Sequence, residues 1–169
     1  MAHGGDGGAG ILVLGIGNVL LKDEGVGVRA VEELRRSHVL PPGVEVVDGG
    51  TAGLDLLDVM EQAEHVIVID CVLAEEAPGA ILRYPLDEFD APAGIPQSLH
   101  EVGLLEALGV LTLLGRRPRA VLIGVQPAEI APGLDLSPRV AARLPAVVEA
   151  VVQELEHLGV RPLAKSPAP

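Results

Sequence analysis

Five short and mostly apolar segments recur along the chain, and their spacing constrains the fold more than any other feature. They are ILVLGI (11–16), VEVVD (44–48), HVIVID (65–70), GAILRYP (79–85) and RAVLIGV (119–125). Continuous apolar runs of this length are typical of strands that are buried on both faces of a sheet. GAILRYP alternates apolar and polar side chains, so we expect this strand nearer a sheet edge.

Helical patterns lie between these segments, over about 23–35, 53–63, 98–115 and 138–158. Ser137-Pro138 has the N-cap and first-turn residues typical of a helix start. Strands and helices that alternate across connections of this length predict an α/β fold of three layers, with a mostly parallel five-stranded sheet covered by helices on both faces. The helix over 98–115 is apolar nearly all round, so it is either deeply buried or partly a protein-binding surface.

The chain has 169 residues, which is the size of one domain and enough to bury a core without disulfides or a structural metal. We place the domain at residues 11–158, between a Gly-rich tail at 1–10 and a loose C-terminal tail at 159–169. Single-domain size favours a monomer.

Charge and composition exclude several classes of partner. The formal net charge is −12, so nucleic acids and anionic membrane surfaces would be repelled. Aromatic residues make up only 1% of the chain, which leaves no stacking platform for single-stranded nucleic acid. No stretch reaches the ~18 apolar residues that cross a membrane. Cys71 is the only cysteine, which rules out an internal disulfide and favours a reducing compartment, the cytoplasm.

A glycine-rich turn, Gly15-Ile16-Gly17, follows the first strand and resembles the start of a dinucleotide-binding fingerprint. Leu20 stands where the third glycine is needed for close helix packing. Asp23 and Glu24 would also repel a pyrophosphate at the start of the next helix. We therefore favour a tight strand-to-loop turn over a nucleotide site.

Polar residues follow the predicted strands at one edge of the sheet, where open parallel sheets bind ligands. Asp70 and Asp48 end the third and second strands, Asp23 and Glu24 lie in the loop after the first, and Gln126 follows the fifth. Asp70 is the most informative, because an acid that ends a fully apolar strand is costly to bury unless it is paired or functional.

Each of these carboxylates also has an ordinary structural role to weigh against a functional one. Asp70 could cap the amides of a neighbouring loop, and Glu24 could complement a helix N-terminus. Asp23 fits an N-cap better than a ligand. Asp48, followed by two glycines, is suited equally well to holding a turn.

His100 adds a nitrogen donor to this set. It lies within Ser98-Leu99-His100-Glu101, which has the spacing of a capping box, and therefore in the first turn of a helix. The positive end of the helix disfavours the protonated imidazole and keeps it available as a metal ligand. The alternative is a solvent-exposed histidine. We assign the remaining candidates, His38, His65 and His157, to the surface.

Two carboxylates and one imidazole suit a divalent first-row metal that keeps open coordination positions. They do not form a closed structural zinc site. Cys71 is better explained by packing than by nucleophilic attack, since a buried thiolate beside Asp70 would be disfavoured.

Five ordered motifs resemble the hydrogenase maturation protease family, whose members trim the large subunit of nickel–iron hydrogenases. The resemblance extends from about Ile11 to Leu158, and its first motif is the most specific. The motifs are ILVLGIGNVLLKDEGVGVRAVEEL, DGGTAGLDLL, VIVIDCV, SLHEVGLLEAL and VLIGVQPAEI.

The resemblance implies a twisted sheet between helices and three metal-binding residues, Glu24, Asp70 and His100. It assigns catalysis to Asp70 and Glu24, and leaves Asp48 to substrate binding or loop support. The implied reaction is one cut near the C-terminus of the hydrogenase large-subunit precursor after nickel insertion. The nickel, for which another divalent metal can substitute, is then supplied by the precursor and serves as the recognition element.

Two other functions are consistent with parts of the sequence. A nickel-handling or assembly chaperone that docks on the same precursor without cutting it would need the same metal ligands. A nucleotide-dependent oxidoreductase would need a cofactor in the glycine-rich turn. Family members are classed as aspartic peptidases, yet no pepsin-like carboxylate pair is evident. Asp70 is a base, a metal ligand or both.

Overall fold

A computed structural model describes residues 10–51, 55–86 and 101–167. Its strands are β1 (Ile11–Ile16), β2 (His38–Val39), β3 (Val44–Gly50), β4 (His65–Cys71), β5 (Ile81–Pro85), β6 (Arg119–Val125) and β7 (Leu163–Ala164). Its helices are a 3-10 helix (Lys22–Gly25), α1 (Val26–Ser37), α2 (Leu56–Met60), α3 (Glu101–Leu113), α4 (Pro138–Ala141) and α5 (Leu144–His157).

All five predicted strands form one sheet in the order β3-β1-β4-β6-β5. β1, β3, β4 and β6 run parallel, and β5 pairs antiparallel with β6 at the edge. The predicted mostly parallel α/β sheet and the edge position of the fourth predicted strand are both confirmed. The antiparallel direction of β5 is an addition that the alternating pattern did not specify.

Helices cover the two faces of the sheet, as predicted. Alternate side chains of β1 point to opposite faces, so Ile11 and Val13 belong to one core cluster with residues of α1 and α5, whereas Leu12 and Leu14 belong to another with residues of α2 and α3. Almost all the side chains in these two layers are aliphatic, as the 1% aromatic content requires.

The helical predictions differ from the structure in their boundaries. The predicted helix over 138–158 is two helices, because α4 ends at Ala141 and α5 restarts at Leu144 with Pro145 in its first turn. A proline lacks an N–H and disfavours helical geometry in the residue before it, so a helix restarts there more readily than it continues. Ser137 caps α4 as predicted, since its Oγ accepts from the Val140 N–H.

The tail expected to be loose at 159–169 carries β7, which pairs antiparallel with β2. The Lys165 N–H also donates to the Ser37 carbonyl at 2.7 Å. Two-residue strands give no hydrophobic period, so the sequence offered no signal for this pair.

α3 is buried on one side only. Leu104, Leu108 and Leu111 lie in the core, whereas Leu113 is 88% exposed. Among the residues that the structure describes, no helix is long and apolar enough to cross a membrane.

Candidate functional site

The candidate site lies where the strand order reverses. The chain leaves β1, crosses to β3 on one side, and returns to β4 on the other side of β1. Such a switch point opens a crevice at the carboxyl ends of the two central strands, and ligands bind there in open α/β sheets. Glu24 follows β1 and Asp70 lies in β4, so these two predicted residues flank the switch point.

The segment that follows β1 packs closely against the sheet at two glycines, Gly17 and Gly27. A Cβ at Gly27 would overlap the carbonyl oxygens of Ile16 and Ile69, the residue before Asp70. A Cβ at Gly17 would overlap the Glu24 carbonyl oxygen. The glycines of the first motif therefore let the start of α1 and the 3-10 helix pack directly against β1 and β4.

This packing also explains the glycine-rich turn. The Asn18 side chain accepts from the Leu20 N–H at 3.0 Å, and the Leu21 N–H donates to the Asn18 carbonyl at 3.1 Å. These contacts form the predicted tight strand-to-loop turn, with the backbone of Glu24 packed against Gly17.

Both predicted central carboxylates are buried. Glu24 is 5% exposed and Asp70 is 2% exposed. Asp70 Oδ1 accepts the Cys71 N–H at 2.8 Å, so part of its role is to bind the amide that follows it. Burying carboxylates at one end of a sheet costs free energy that hydrogen bonds, ion pairs or a bound cation must offset.

Asp23 has a role that the sequence did not reveal. The predicted N-cap role is wrong, since the start of α1 has no side-chain cap. Asp23 is fully buried and binds the loop after β6 instead. Its carboxylate accepts from the N–H groups of Ala128, Glu129 and Ser137 and from the Ser137 hydroxyl, at 2.7–2.9 Å.

The pKa of the Cys71 thiol reflects both its burial and the negative charges around it. Burial, followed by the charges of Asp70, Glu24 and Asp23, raises its pKa from 9.0 to about 12. The thiol is therefore neutral at physiological pH and unsuited to nucleophilic attack, as the sequence indicated. The charges of all three carboxylates therefore reach the buried sulfur.

Two further predicted residues organise loops at the same edge. Asp48 is exposed, lies in register with Gly15, and accepts the Gly50 N–H at 2.8 Å, which is a turn-forming contact. The Gln126 side-chain oxygen accepts the Ala74 N–H at 2.7 Å and so holds the segment after β4. These contacts give both residues a structural role in the loops.

His100, Ser98 and the predicted capping box lie outside the described residues. Within residues 10–51, 55–86 and 101–167, no three His, Cys, Asp or Glu side chains come together to hold a metal ion. Of the three predicted ligands, the described part of the chain contains the oxygen donors Glu24 and Asp70, both buried near the carboxyl ends of the central strands. Such donors suit a divalent first-row metal that takes its other ligands elsewhere.

Comparisons with known proteins agree with this architecture. A family model described as hydrogenase maturation protease matches residues 28–154. The hydrogenase 2 maturation protease of Escherichia coli K12 is 38% identical over 157 residues, which cover 92% of this chain and 96% of that protein. The hydrogenase expression/formation protein HupD of Rhodobacter capsulatus is 42% identical over 153 residues, or 89% of this chain and 73% of that protein.

Solved structures show the same fold. The hydrogenase maturating endopeptidase HybD of E. coli superposes with a TM-score of 0.84 at 37% identity, covering 94% of this chain and 99% of that one. The [NiFe] hydrogenase maturation protease HybD of Thermococcus kodakarensis gives a TM-score of 0.72 at 28% identity, with coverage of 85% and 97%. By sequence and by structure, the chain belongs to the hydrogenase maturation protease family.

Proposed function

We propose that this protein is an endopeptidase that removes the C-terminal extension of a nickel–iron hydrogenase large-subunit precursor after nickel has been inserted. The observation that carries the proposal is the pair of buried carboxylates, Glu24 and Asp70, at the switch point of a chain in this family. Buried charge of one sign at a ligand-binding edge is well suited to meeting a cation that arrives with the substrate.

In this proposal Glu24, Asp70 and His100 contact the nickel that the precursor carries, and that contact is the recognition event. Two carboxylates and one imidazole form a weak, open set of donors. The set binds nickel well only when the precursor supplies the remaining ligands. Nickel-free precursor then lacks the element that aligns its C-terminal segment in the crevice.

The chain's own contribution to the chemistry is a carboxylate base. Asp70 is oriented by the Cys71 N–H and accepts a proton from a water molecule while the oxygen of that water attacks the scissile carbonyl carbon. The proton then passes to the departing amide nitrogen as the C–N bond breaks, which leaves a new carboxylate and a free amine. Nickel held by Glu24, Asp70 and His100 together with the precursor would supply Lewis-acid polarisation of the scissile carbonyl.

The test is intact-mass analysis of nickel-loaded precursor after incubation with wild-type protein and single variants. We expect Asp70→Asn to slow the loss of the C-terminal peptide roughly 10²–10⁴-fold, the usual contribution of a general base. Glu24→Gln and His100→Ala should weaken recognition and turnover together. Asp58→Asn, an exposed carboxylate on α2, is the matched control and should cleave at the wild-type rate.

Two outcomes would contradict parts of the proposal. Unchanged cleavage by His100→Ala would remove His100 from the site. Wild-type protein that binds loaded precursor and leaves its mass intact would favour the assembly chaperone with the same metal contacts.

A further inference from the structure

Asp23 links two segments that are far apart in sequence. One is the loop after β1, residues 20–23, and the other is the loop after β6, residues 128–137. The carboxylate accepts four hydrogen bonds from the second segment. Two come from the N–H groups of Ala128 and Glu129, and two come from the N–H and hydroxyl groups of Ser137. Nothing in the proposed reaction uses Asp23, although it directly precedes Glu24.

Other contacts join the same two segments. Lys22 forms an ion pair with Glu129 at 2.8 Å, and its N–H donates to the Gly133 carbonyl at 3.0 Å. The Gly133 N–H donates in turn to the Leu20 carbonyl at 2.9 Å. Asp23 is the fully buried member of this set, so its bonds are the least exposed to competition from water.

Glu24 is thereby held on both sides along the chain. On its N-terminal side, Asp23 ties the 3-10 helix to the loop after β6. On its C-terminal side, Gly27 seats the start of α1 against the ends of β1 and β4. The 3-10 helix has no side-chain cap, and its Lys22 and Asp23 N–H groups donate instead to the Gly133 and Glu129 carbonyls at 3.0 and 3.3 Å.

We propose that Asp23 is a positioning residue that sets the orientation of Glu24 by locking the loop after β1 to the loop after β6. The inference rests on the proposed function, since it concerns a residue that meets the metal-loaded precursor. Catalytic geometry tolerates little displacement, and partners that orient a metal-contacting group commonly change affinity or activity by about 10- to 100-fold.

Asp23→Asn is the direct test because it keeps the shape of the side chain. Ser137 N–H donates to one Asp23 oxygen, and Ala128 and Glu129 N–H groups donate to the other. Whichever way the amide turns, its NH2 group faces an N–H donor and at least one bond is lost. Ser137→Ala removes one hydroxyl contact, and Ser137→Thr restores a hydroxyl at that position.

Glu154→Gln is the matched control for stability. Glu154 is a buried carboxylate that pairs with Arg83 between α5 and β5, away from the switch point. Each variant is measured for thermal stability, for kcat and KM on nickel-loaded precursor, and for hydrogen exchange of the 20–25 and 128–137 peptides.

For Asp23→Asn we expect about a 10- to 100-fold loss of kcat/KM that includes a raised KM, with faster exchange confined to the two loops. Ser137→Ala should give a smaller effect that Ser137→Thr reverses. A merely structural residue would lower the active fraction, which reduces apparent kcat and leaves KM unchanged, as expected for Glu154→Gln.

Two results would overturn the inference. One is an Asp23→Asn protein whose KM and kcat match the wild type after correction for active fraction. The other is unchanged exchange in both loops. If wild-type protein fails to cleave, the proposed function fails, and the exchange measurement still decides whether Asp23 locks the two loops.

Discussion

The buried Cys71 thiol makes the protein's stability depend on alkaline pH in a defined way. Burial and the charges of Asp70, Glu24 and Asp23 raise the pKa of this thiol from 9.0 to about 12. The unfolded chain loses the thiol proton near pH 9 while the folded chain retains it. Stability from this group is therefore complete below pH 9 and is lost as the pH rises from 9 towards 12.

The size of the effect follows from the two pKa values. Each unit of difference corresponds to about 1.4 kcal/mol, so the full three units would remove about 4 kcal/mol. Between pH 8 and pH 10 the expected loss is about 1.4 kcal/mol, and by pH 10.5 it reaches about 2 kcal/mol. The thiol is 5% exposed, so solvent screens little of this effect.

Urea unfolding of wild type and Cys71→Ala at pH 8, 9, 10 and 10.5 isolates the thiol from other titrating groups. The difference in unfolding free energy between the two proteins at pH 8 measures the packing lost in the variant. From pH 8 to pH 10 the advantage of the wild type should shrink by about 1.4 kcal/mol. Asp70→Asn should lower the thiol pKa, because it removes the second-largest cause of the shift.

A difference between wild type and Cys71→Ala that stays constant up to pH 10.5 would refute this reasoning. The sulfur would then ionise as readily in the folded chain as in the unfolded one. Neither its burial nor the charges of the nearby carboxylates would then disfavour the thiolate.

Three further predictions test the packing that positions the site. Gly27→Ala should destabilise the fold by about 1–3 kcal/mol or more in urea unfolding, because its methyl group meets two backbone carbonyl oxygens; a neutral result would contradict the close approach of α1 to the sheet. Leu155→Ala, at a fully buried position in α5, should cost about 2–5 kcal/mol, whereas Leu158→Ala at a half-buried position should cost clearly less. Glu154→Gln should lower stability by about 0.5–1 kcal/mol, because the Arg83 side chain is 57% exposed and solvent weakens the ion pair; an unchanged midpoint would show that the pair contributes nothing.

Much of the site could be predicted from the sequence because parallel strands end at a common edge. VIVID and ILVLGI have the pattern of buried parallel strands, which predicts Asp70 and Glu24 at the same end of the sheet. The strand order β3-β1-β4 makes this end of the sheet a switch point. The sequence of a single segment does not specify that order, because it depends on how helices and strands from the whole chain pack together.

The role of Asp23 could not be predicted in the same way. Its partner Ser137 is 114 residues further along the chain, and each of the two residues also fits a local capping role. Sequence patterns near each residue favour a helix-capping role, which is right for Ser137 and wrong for Asp23. The pairing of β2 with β7 is a similar case, since two-residue strands are specified only by tertiary contacts.

The most direct test of the central claim compares two forms of one substrate, the cognate large-subunit precursor with and without nickel. Each is incubated with this protein and analysed by intact mass. Loss of one C-terminal peptide from the nickel-loaded form alone is the predicted result. Equal cleavage of both forms would contradict metal-guided recognition, and a full-length mass for both would contradict the endopeptidase itself.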